Sequence, residues 1–451
     1  MVEVETIVTE ELGDRSYVVH DGAVAAVVDP QRDIDRVEDV LARSGLECAA
    51  VLETHLHNDY VTGGCALARA RSVPYVVAAS DDVAFERRAV ADGDVLVFGS
   101  LRIAVVATPG HTDGHLAYVV ADGSGPPAVF TGGSLLYGSV GRTDLVDRAR
   151  TDELTRAQFR SVRRLSGLLP PDSALYPTHG FGSFCSSGAT SGATASTIGD
   201  ERARNDALVT DDEDAFVAAL VAGLTAYPAY YARMGPRNRS GPGAADLSPV
   251  TPVDRVELAR RLAAGEWVVD LRSRTAYAKE HLGGTVGIAV GDQFSTYVGW
   301  LLPDGAALTL LAESDADVRS AQRQLTRIGI DRPDGAAVGP PGDLAAGGPL
   351  RSYPTTTFAA LAAVPDAYVL DVRRDDERSA GAIAGSLHVP LHELPGRIGE
   401  LDERTVFVHC AMGTRAAIAA SLLDRAGRSV VLVDDDFTRA DAALEVERPR
   451  R

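Results

Sequence analysis

The chain opens on short apolar runs broken by polar turns, a pattern of strands rather than of one long helical stripe. Tyr17-Val18-Val19 and Ala25-Ala26-Val27-Val28 read as strands, the second closed by the turn at Asp29-Pro30. Val51-Leu52-Glu53-Thr54 and Ile103-Ala104-Val105-Val106 are two more, each followed by a histidine motif. Val129-Phe130-Thr131 is another, ending on the glycine turn Gly132-Gly133. Strand, polar loop, then helix is the layout by which layered α/β folds carry sites on their loops. This first segment is expected to occupy residues 1–235. The stretch from Gly235 to Pro252, rich in Gly, Pro, Arg and Ser, predicts a linker, and Gly and Pro cluster again between Gly339 and Pro354.

The two pieces left by these breaks, 252–338 and 350–446, look like copies of each other. Each has an apolar strand ending in an acid and an arginine: Val268-Val269-Asp270-Leu271-Arg272 and Val369-Leu370-Asp371-Val372-Arg373. Each then runs through a helix-like stretch and a glycine, at Gly283-Gly284 and Gly385, to a second short strand. Each next reaches an apolar run, Leu308-Thr309-Leu310-Leu311 and Thr405-Val406-Phe407-Val408. Alternating strands and helices predict a parallel sheet covered on both faces.

Composition narrows the partners. The length of 451 residues is too great for one core and fits two or three domains. With 44 Lys plus Arg against 63 Asp plus Glu, the net charge is −19, which repels phosphate backbones and anionic membranes. Nucleic acid is therefore not expected as a partner. No apolar run reaches the ~20 residues of a membrane helix, and Met1-Val2-Glu3-Val4-Glu5 lacks the features of a signal peptide. A soluble, cytoplasmic protein without a membrane partner is expected, with homo-oligomerisation left open. The 4 cysteines, Cys48, Cys65, Cys185 and Cys410, are far apart, which argues against a disulfide framework or a cysteine zinc site.

Three histidine clusters carry the first candidate chemistry. Thr54-His55-Leu56-His57-Asn58-Asp59-Tyr60 follows a strand, and an extended loop would put His55, His57 and Asp59 on one side. Thr108-Pro109-Gly110-His111-Thr112-Asp113-Gly114-His115 and Pro177-Thr178-His179-Gly180 are the others. Imidazoles at several strand ends suit zinc or ferrous iron. His55, His57 and His111 are the expected core of a site for one divalent metal, Fe(II) or Zn, with Asp59 and His179 beside it. His115 fits a supporting role.

These motifs resemble the metallo-β-lactamase superfamily, whose first motif reads His-x-His-x-Asp-His. Within it the chain is most similar to persulfide dioxygenases, through His111-Thr112-Asp113-Gly114-His115 and Gly141-Arg142-Thr143-Asp144. The resemblance implies an αββα domain that oxidises glutathione persulfide with O2 at one ferrous iron, yielding sulfite and glutathione. It further implies iron ligands at His55 and His111, with Arg142 and Thr143 toward the substrate. The chain departs from that pattern twice: Gly133 stands where the family has its aspartate ligand, and Tyr60 replaces the last histidine of the first motif.

The second candidate site is Val408-His409-Cys410-Ala411-Met412-Gly413-Thr414-Arg415, between a strand and the helix-like run Ala416-Ala417-Ile418-Ala419-Ala420. Backbone N–H groups and the helix dipole converge at such a place and stabilise a thiolate or a bound anion. Gly413 allows the tight turn, and Arg415 adds a positive charge for an anionic substrate. The loop resembles the active-site loop of rhodaneses, which carry sulfur as a cysteine persulfide. Phosphatases with a C-x5-R loop are the competing family, but only four residues separate Cys410 from Arg415. The first repeat has Leu311-Ala312-Glu313-Ser314-Asp315 at the matching place and is expected to be inactive.

The expected fold is thus a metallo-β-lactamase-like αββα domain followed by two rhodanese-like parallel-sheet α/β domains. The expected function is sulfane-sulfur metabolism, with Cys410 exchanging sulfur with thiosulfate or a low-molecular-weight thiol persulfide. The alternatives are a metal-dependent thioester hydrolase of the glyoxalase II kind and a non-catalytic persulfide-binding or sulfide-responsive protein.

Overall fold

The computed structural model describes residues 2–188 and 192–448. The chain forms two compact units, Met1–Asp246 with Thr326–Asp331, and Leu247–Leu325 with Arg332–Arg451.

In the first unit, a six-stranded sheet runs in the order Glu3–Thr9, Asp14–His20, Val24–Val28, Glu47–Leu52, Tyr75–Ala78, Arg88–Val90. A five-stranded sheet runs Ala174–Pro177, Ala128–Gly132, Leu116–Ala121, Leu101–Ala107, Val95–Phe98. Alternation of side chains sends Tyr17, Val19, Val28 and Leu52 of one sheet to meet Ile103, Val105, Tyr118 and Phe130 of the other in one buried cluster. The opposite phase, Val18, Val27 and Val51, packs on the helices Asp35–Arg43 and Gly64–Arg71. Val106, Ala117 and Val129 pack on Thr151–Leu168 and Glu213–Ala222. The layers are therefore helix, sheet, sheet, helix.

The expected linker begins later than its composition suggests. Residues Tyr231–Arg239 form a helix that contains Pro236. It is held down by the buried Asn238, which donates to the carbonyls of His57 and Tyr60, each at 2.8 Å, and accepts the Thr62 N–H at 2.9 Å. A buried amide that satisfies three backbone groups outweighs the low helix propensity of the segment.

The second unit repeats one fold twice. Its four-stranded sheet runs Val286–Gly287, Trp267–Asp270, Leu308–Ala312, Gly335–Val338, all parallel. The five-stranded sheet runs Leu387–His388, Tyr368–Asp371, Val406–His409, Val430–Val433, Thr355–Thr356, also all parallel. The acid–arginine pairs at the strand ends match in detail. Arg272 Nη2 reaches Asp270 at 2.6 Å and the Glu280 carbonyl at 2.8 Å, while Arg373 Nη2 reaches Asp371 at 2.7 Å and the Gly381 carbonyl at 2.7 Å. Each pair braces the loop after its strand. No described helix is long and apolar enough to cross a membrane.

Candidate metal centre and cysteine loop

The histidine motifs gather at the strand ends of the two facing sheets. His55 follows Glu47–Leu52, His111 follows Leu101–Ala107, and His179 follows Ala174–Pro177. All are buried, as are His57, His115 and Asp59. His55 Nε2 and His179 Nε2 lie 3.3 Å apart. His111 Nε2 has no hydrogen-bond partner among the described residues. Buried polar atoms are almost always satisfied, so an orphaned imidazole nitrogen beside two others fits a metal ion. The ligand atoms of His55, His111 and His179 lie within 4.8 Å of one another, and so do those of His57, Asp59 and His179.

His57 is held by groups that sequence inspection passed over. Its Nε2 lies 2.9 Å from the Tyr60 hydroxyl, 3.2 Å from Glu53 and 3.4 Å from Asp29. The Tyr60 ring also stacks on it, centroids 4.2 Å apart. Asp29, read from the sequence only as a turn residue, is the hub of this site. It accepts the Thr54 N–H and the Thr54 hydroxyl, both at 2.7 Å, and the Thr178 hydroxyl. Its φ of 50° is left-handed, a conformation the short Asp side chain tolerates through such local bonds. Asp14, at the start of a strand, accepts from His179 Nδ1 at 2.8 Å, and Asp59 lies 3.1 Å from the same nitrogen. His115 is a scaffold residue here: Nδ1 meets the Thr108 hydroxyl at 2.8 Å and Nε2 accepts the Gly133 N–H at 2.9 Å.

Burial opposes charge on every one of these rings, and the neighbours decide the outcome. His55 and His115 are held well below the usual imidazole range, by burial and then by the surrounding imidazoles. His111 is pushed down to about 3 by burial and then by His179. His57 is raised to about 9, because Asp29 and Glu53 outweigh its burial. His179 is raised well above the usual range, since Asp59 and Asp14 outweigh burial there too. Asp29 itself stays below the usual carboxylate range: burial would raise it, but His57 and the donated hydrogen bonds prevail.

Arg142 and Thr143 lie beside this centre, and both are buried. The Arg142 guanidinium bonds Asp144 at 2.7 and 2.9 Å and the carbonyls of Phe184 and Thr225 at 3.1 and 2.7 Å. Its cationic face lies 4.5 Å from the Tyr227 ring. As placed, Arg142 braces loops, and contact with a substrate carboxylate would require breaking the Asp144 pair. The Thr143 hydroxyl bonds Thr155 at 2.6 Å.

Gly110, just before His111, has φ +147°, and a Cβ there would lie 2.5 Å from the Gln158 backbone. Gly110→Ala is therefore expected to destabilise the first unit by about 2–4 kcal/mol, through overpacking and backbone strain together. A urea midpoint within error of the unaltered protein would show that the helix Thr151–Leu168 yields freely.

In the last repeat, Cys410 follows the strand Val406–His409, and its loop opens the helix Thr414–Arg425. Cys410 is buried, and its Sγ accepts the Gly413 N–H at 3.1 Å. Gly413 has φ +88°, and a Cβ there would stand 2.2 Å from an Asp434 oxygen. The Arg415 guanidinium grips both oxygens of Glu377, at 2.5 and 2.6 Å. Beyond Glu377, two residues of the first repeat bear on this loop. Arg274 bonds Asp434 at 2.9 Å and Thr414 at 3.3 Å. The Tyr297 hydroxyl, pushed up to about 12 by burial, feels both Arg415 and Cys410. No motif marks Arg274 or Tyr297, because their roles come from the packing of one repeat on the other, while Glu377 reaches Arg415 from within the same repeat.

Residues 12–179 match the Metallo-beta-lactamase superfamily, and residues 356–442 match the Rhodanese-like domain. The chain thus joins a metallo-β-lactamase superfamily domain to a C-terminal rhodanese domain. It is similar to a hydroxyacylglutathione hydrolase of Cupriavidus taiwanensis, 34% identical over 36% of this chain, and spans 61% of that relative's length. It is 29% identical to the human mitochondrial persulfide dioxygenase, over 45% of this chain and 72% of that one. Among solved structures, a metallo-beta-lactamase from Staphylococcus aureus subsp. aureus COL matches with TM-score 0.67 and 26% identity, covering 75% of this chain and 98% of that one.

Proposed function

We propose that this protein is a sulfane-sulfur enzyme in which Cys410 carries a transferable sulfur atom, coupled to a metal-binding domain that takes a thiol persulfide. The observation that carries the reading is the Cys410 sulfur at a helix start, accepting the Gly413 N–H at 3.1 Å. Arg415 stands one residue into that helix. A persulfide or thiosulfate donor brings negative charge, and backbone N–H groups at a helix start favour it there. The Cys410 thiolate forms a bond to the outer sulfur of the donor. The donor's sulfur–sulfur bond then breaks, and a thiolate, or sulfite from thiosulfate, leaves with the electron pair. An acceptor thiolate takes the outer sulfur in the same way and restores Cys410.

In the first unit, zinc or iron when bound would act as a Lewis acid on substrate sulfur, and iron would add chemistry with O2. The protein's own contribution is a buried, imidazole-lined floor, with His179 oriented by Asp14 and Asp59. The similarity to human persulfide dioxygenase supports a persulfide as the substrate class.

The hydroxyacylglutathione hydrolase relative supports a second reading, a metal-dependent thioester hydrolase. Against it, Tyr60 and Gly133 withdraw two groups that a second metal needs. The test exposes the full-length protein first to thiosulfate and then to glutathione persulfide, and locates the product by intact and peptide mass spectrometry. One added sulfur on the Cys410 peptide is the expected result. An unmodified Cys410 alongside hydrolysis of a glutathione thioester would favour the second reading instead.

A further inference from the structure

The metal motifs leave a question that the chain's own geometry answers: what completes the site when position 133 has no carboxylate. A Cβ built on Gly133 would lie 2.2 Å from His111 Cδ2 and 2.6 Å from His111 Nε2. With the His111 ring as it stands, such distances leave no room for a side chain, so the ring occupies space that a residue at 133 would need. The glycine is therefore a structural partner of His111 in this place, beyond being a missing ligand.

The hydrogen bonds around the neighbouring rings point their free nitrogens inward. The Thr54 hydroxyl donates to Asp29 at 2.7 Å, so toward His55 Nδ1, at 2.9 Å, it acts as acceptor. His55 therefore carries its proton on Nδ1. His111 Nδ1 lies 2.7 Å from the Arg142 carbonyl, which can only accept, so it too carries its proton there. His179 Nδ1 faces the carboxylates of Asp14 and Asp59 at 2.8 and 3.1 Å and donates in the same way. Each ring is thus braced at Nδ1 and turns Nε2 to a shared point. The His55 and His179 Nε2 atoms, 3.3 Å apart, either share one proton or flank one cation. Two nitrogens bound tetrahedrally to one zinc at about 2.0–2.1 Å stand about 3.3–3.4 Å apart.

His57 faces other partners. Its Nε2 is taken up by Tyr60, Glu53 and Asp29. Its Nδ1 has no hydrogen bond and lies 4.0 Å from Asp59. The Asp59 oxygen on that side likewise has no hydrogen-bond partner, so His57, Asp59 and His179 are the competing ligand group that the test below separates from the first.

We infer that the first unit holds its metal with three histidines, His55, His111 and His179, and that Gly133 makes this set possible by leaving room for the His111 ring. The set replaces both His55–His57–His111, expected from motif spacing, and the two-histidine-one-aspartate set that the family resemblance implies. Three neutral imidazole ligands cancel none of a divalent ion's charge by direct coordination, and Asp14 and Asp59 offset part of it only from behind His179. That charge favours an anionic sulfur ligand such as a persulfide or thiolate. The inference rests on the reading that this unit binds a metal, and its test separates the two.

Full-length protein is stripped with a chelator, titrated with Co(II), and followed by its visible spectrum and by X-ray absorption at the cobalt edge. One cobalt with three imidazoles is the expected result for the unaltered protein. His179→Ala should weaken binding by more than about a hundred-fold, beyond the 10–100-fold typical of losing an outer-shell partner. His57→Ala should weaken it by less than about ten-fold. The absorption measurement on unaltered protein stands even if a variant misfolds. One cobalt held by fewer than three imidazoles, or lost in His57→Ala and kept in His179→Ala, overturns the ligand assignment and leaves metal binding intact. Failure of the unaltered protein to bind cobalt overturns both. Sulfur loading of Cys410 is independent of either result.

Discussion

Replacing Cys410 with serine is expected to lower thiocyanate formation from thiosulfate and cyanide by about a thousand-fold or more, because in the proposed reaction the variant lacks the atom that carries the sulfur. The other cysteines cannot substitute. Cys48, Cys65 and Cys185 are buried, and burial pushes their thiols up, Cys48 to about 11 and Cys185 well above the usual range. At neutral pH they remain protonated. Serine is close in size to cysteine and can accept the same Gly413 N–H, so the loop should keep its shape. Circular dichroism on the variant checks this. Transfer persisting above a tenth of the original rate in a folded Cys410→Ser protein would assign the nucleophile elsewhere.

Asp29→Ala is expected to be the most damaging single change in the first unit, costing about 3–5 kcal/mol of stability. Removing the carboxylate leaves His57 with less compensation for its buried charge and strips an acceptor from the Thr54 N–H and from the Thr54 and Thr178 hydroxyls. Buried donors without acceptors cost far more than the net value of the bonds they made. Alanine would also inherit a φ of 50°, which a β-carbon without a polar group tolerates poorly. The measurement is the denaturant midpoint of the first unit's transition. A loss under about 1 kcal/mol would show that water replaces the carboxylate without difficulty.

Much of this was legible in the chain itself. Runs such as Val27-Val28 and Val105-Val106 mark strands because a sheet inside a layered fold buries alternate residues on both faces. The repeat in the C-terminal half was visible in Asp270-Leu271-Arg272 and Asp371-Val372-Arg373, since a pair two residues apart at a strand end makes its bonds locally. The cysteine loop was legible for the same reason: Cys410, Gly413 and Arg415 lie within one turn of chain, so their spacing dictates their geometry.

The grouping around the candidate metal centre was not. His55 and His57 are two residues apart, yet one ring turns toward His179 and the other toward Tyr60, Glu53 and Asp29. Local spacing places side chains on a loop; it does not choose their hydrogen-bond partners. Asp14, Asp29 and Asn238 belong to no motif and come from distant segments, so only the folded chain shows that they orient the histidines and their loop. The sequence by itself determined the layered and repeated architecture and the cysteine loop, because both arise from periodicity and short-range spacing. Tertiary structure alone decided which nitrogens meet and which are diverted, because in a buried site every polar atom must find a partner, and those partners come from across the chain.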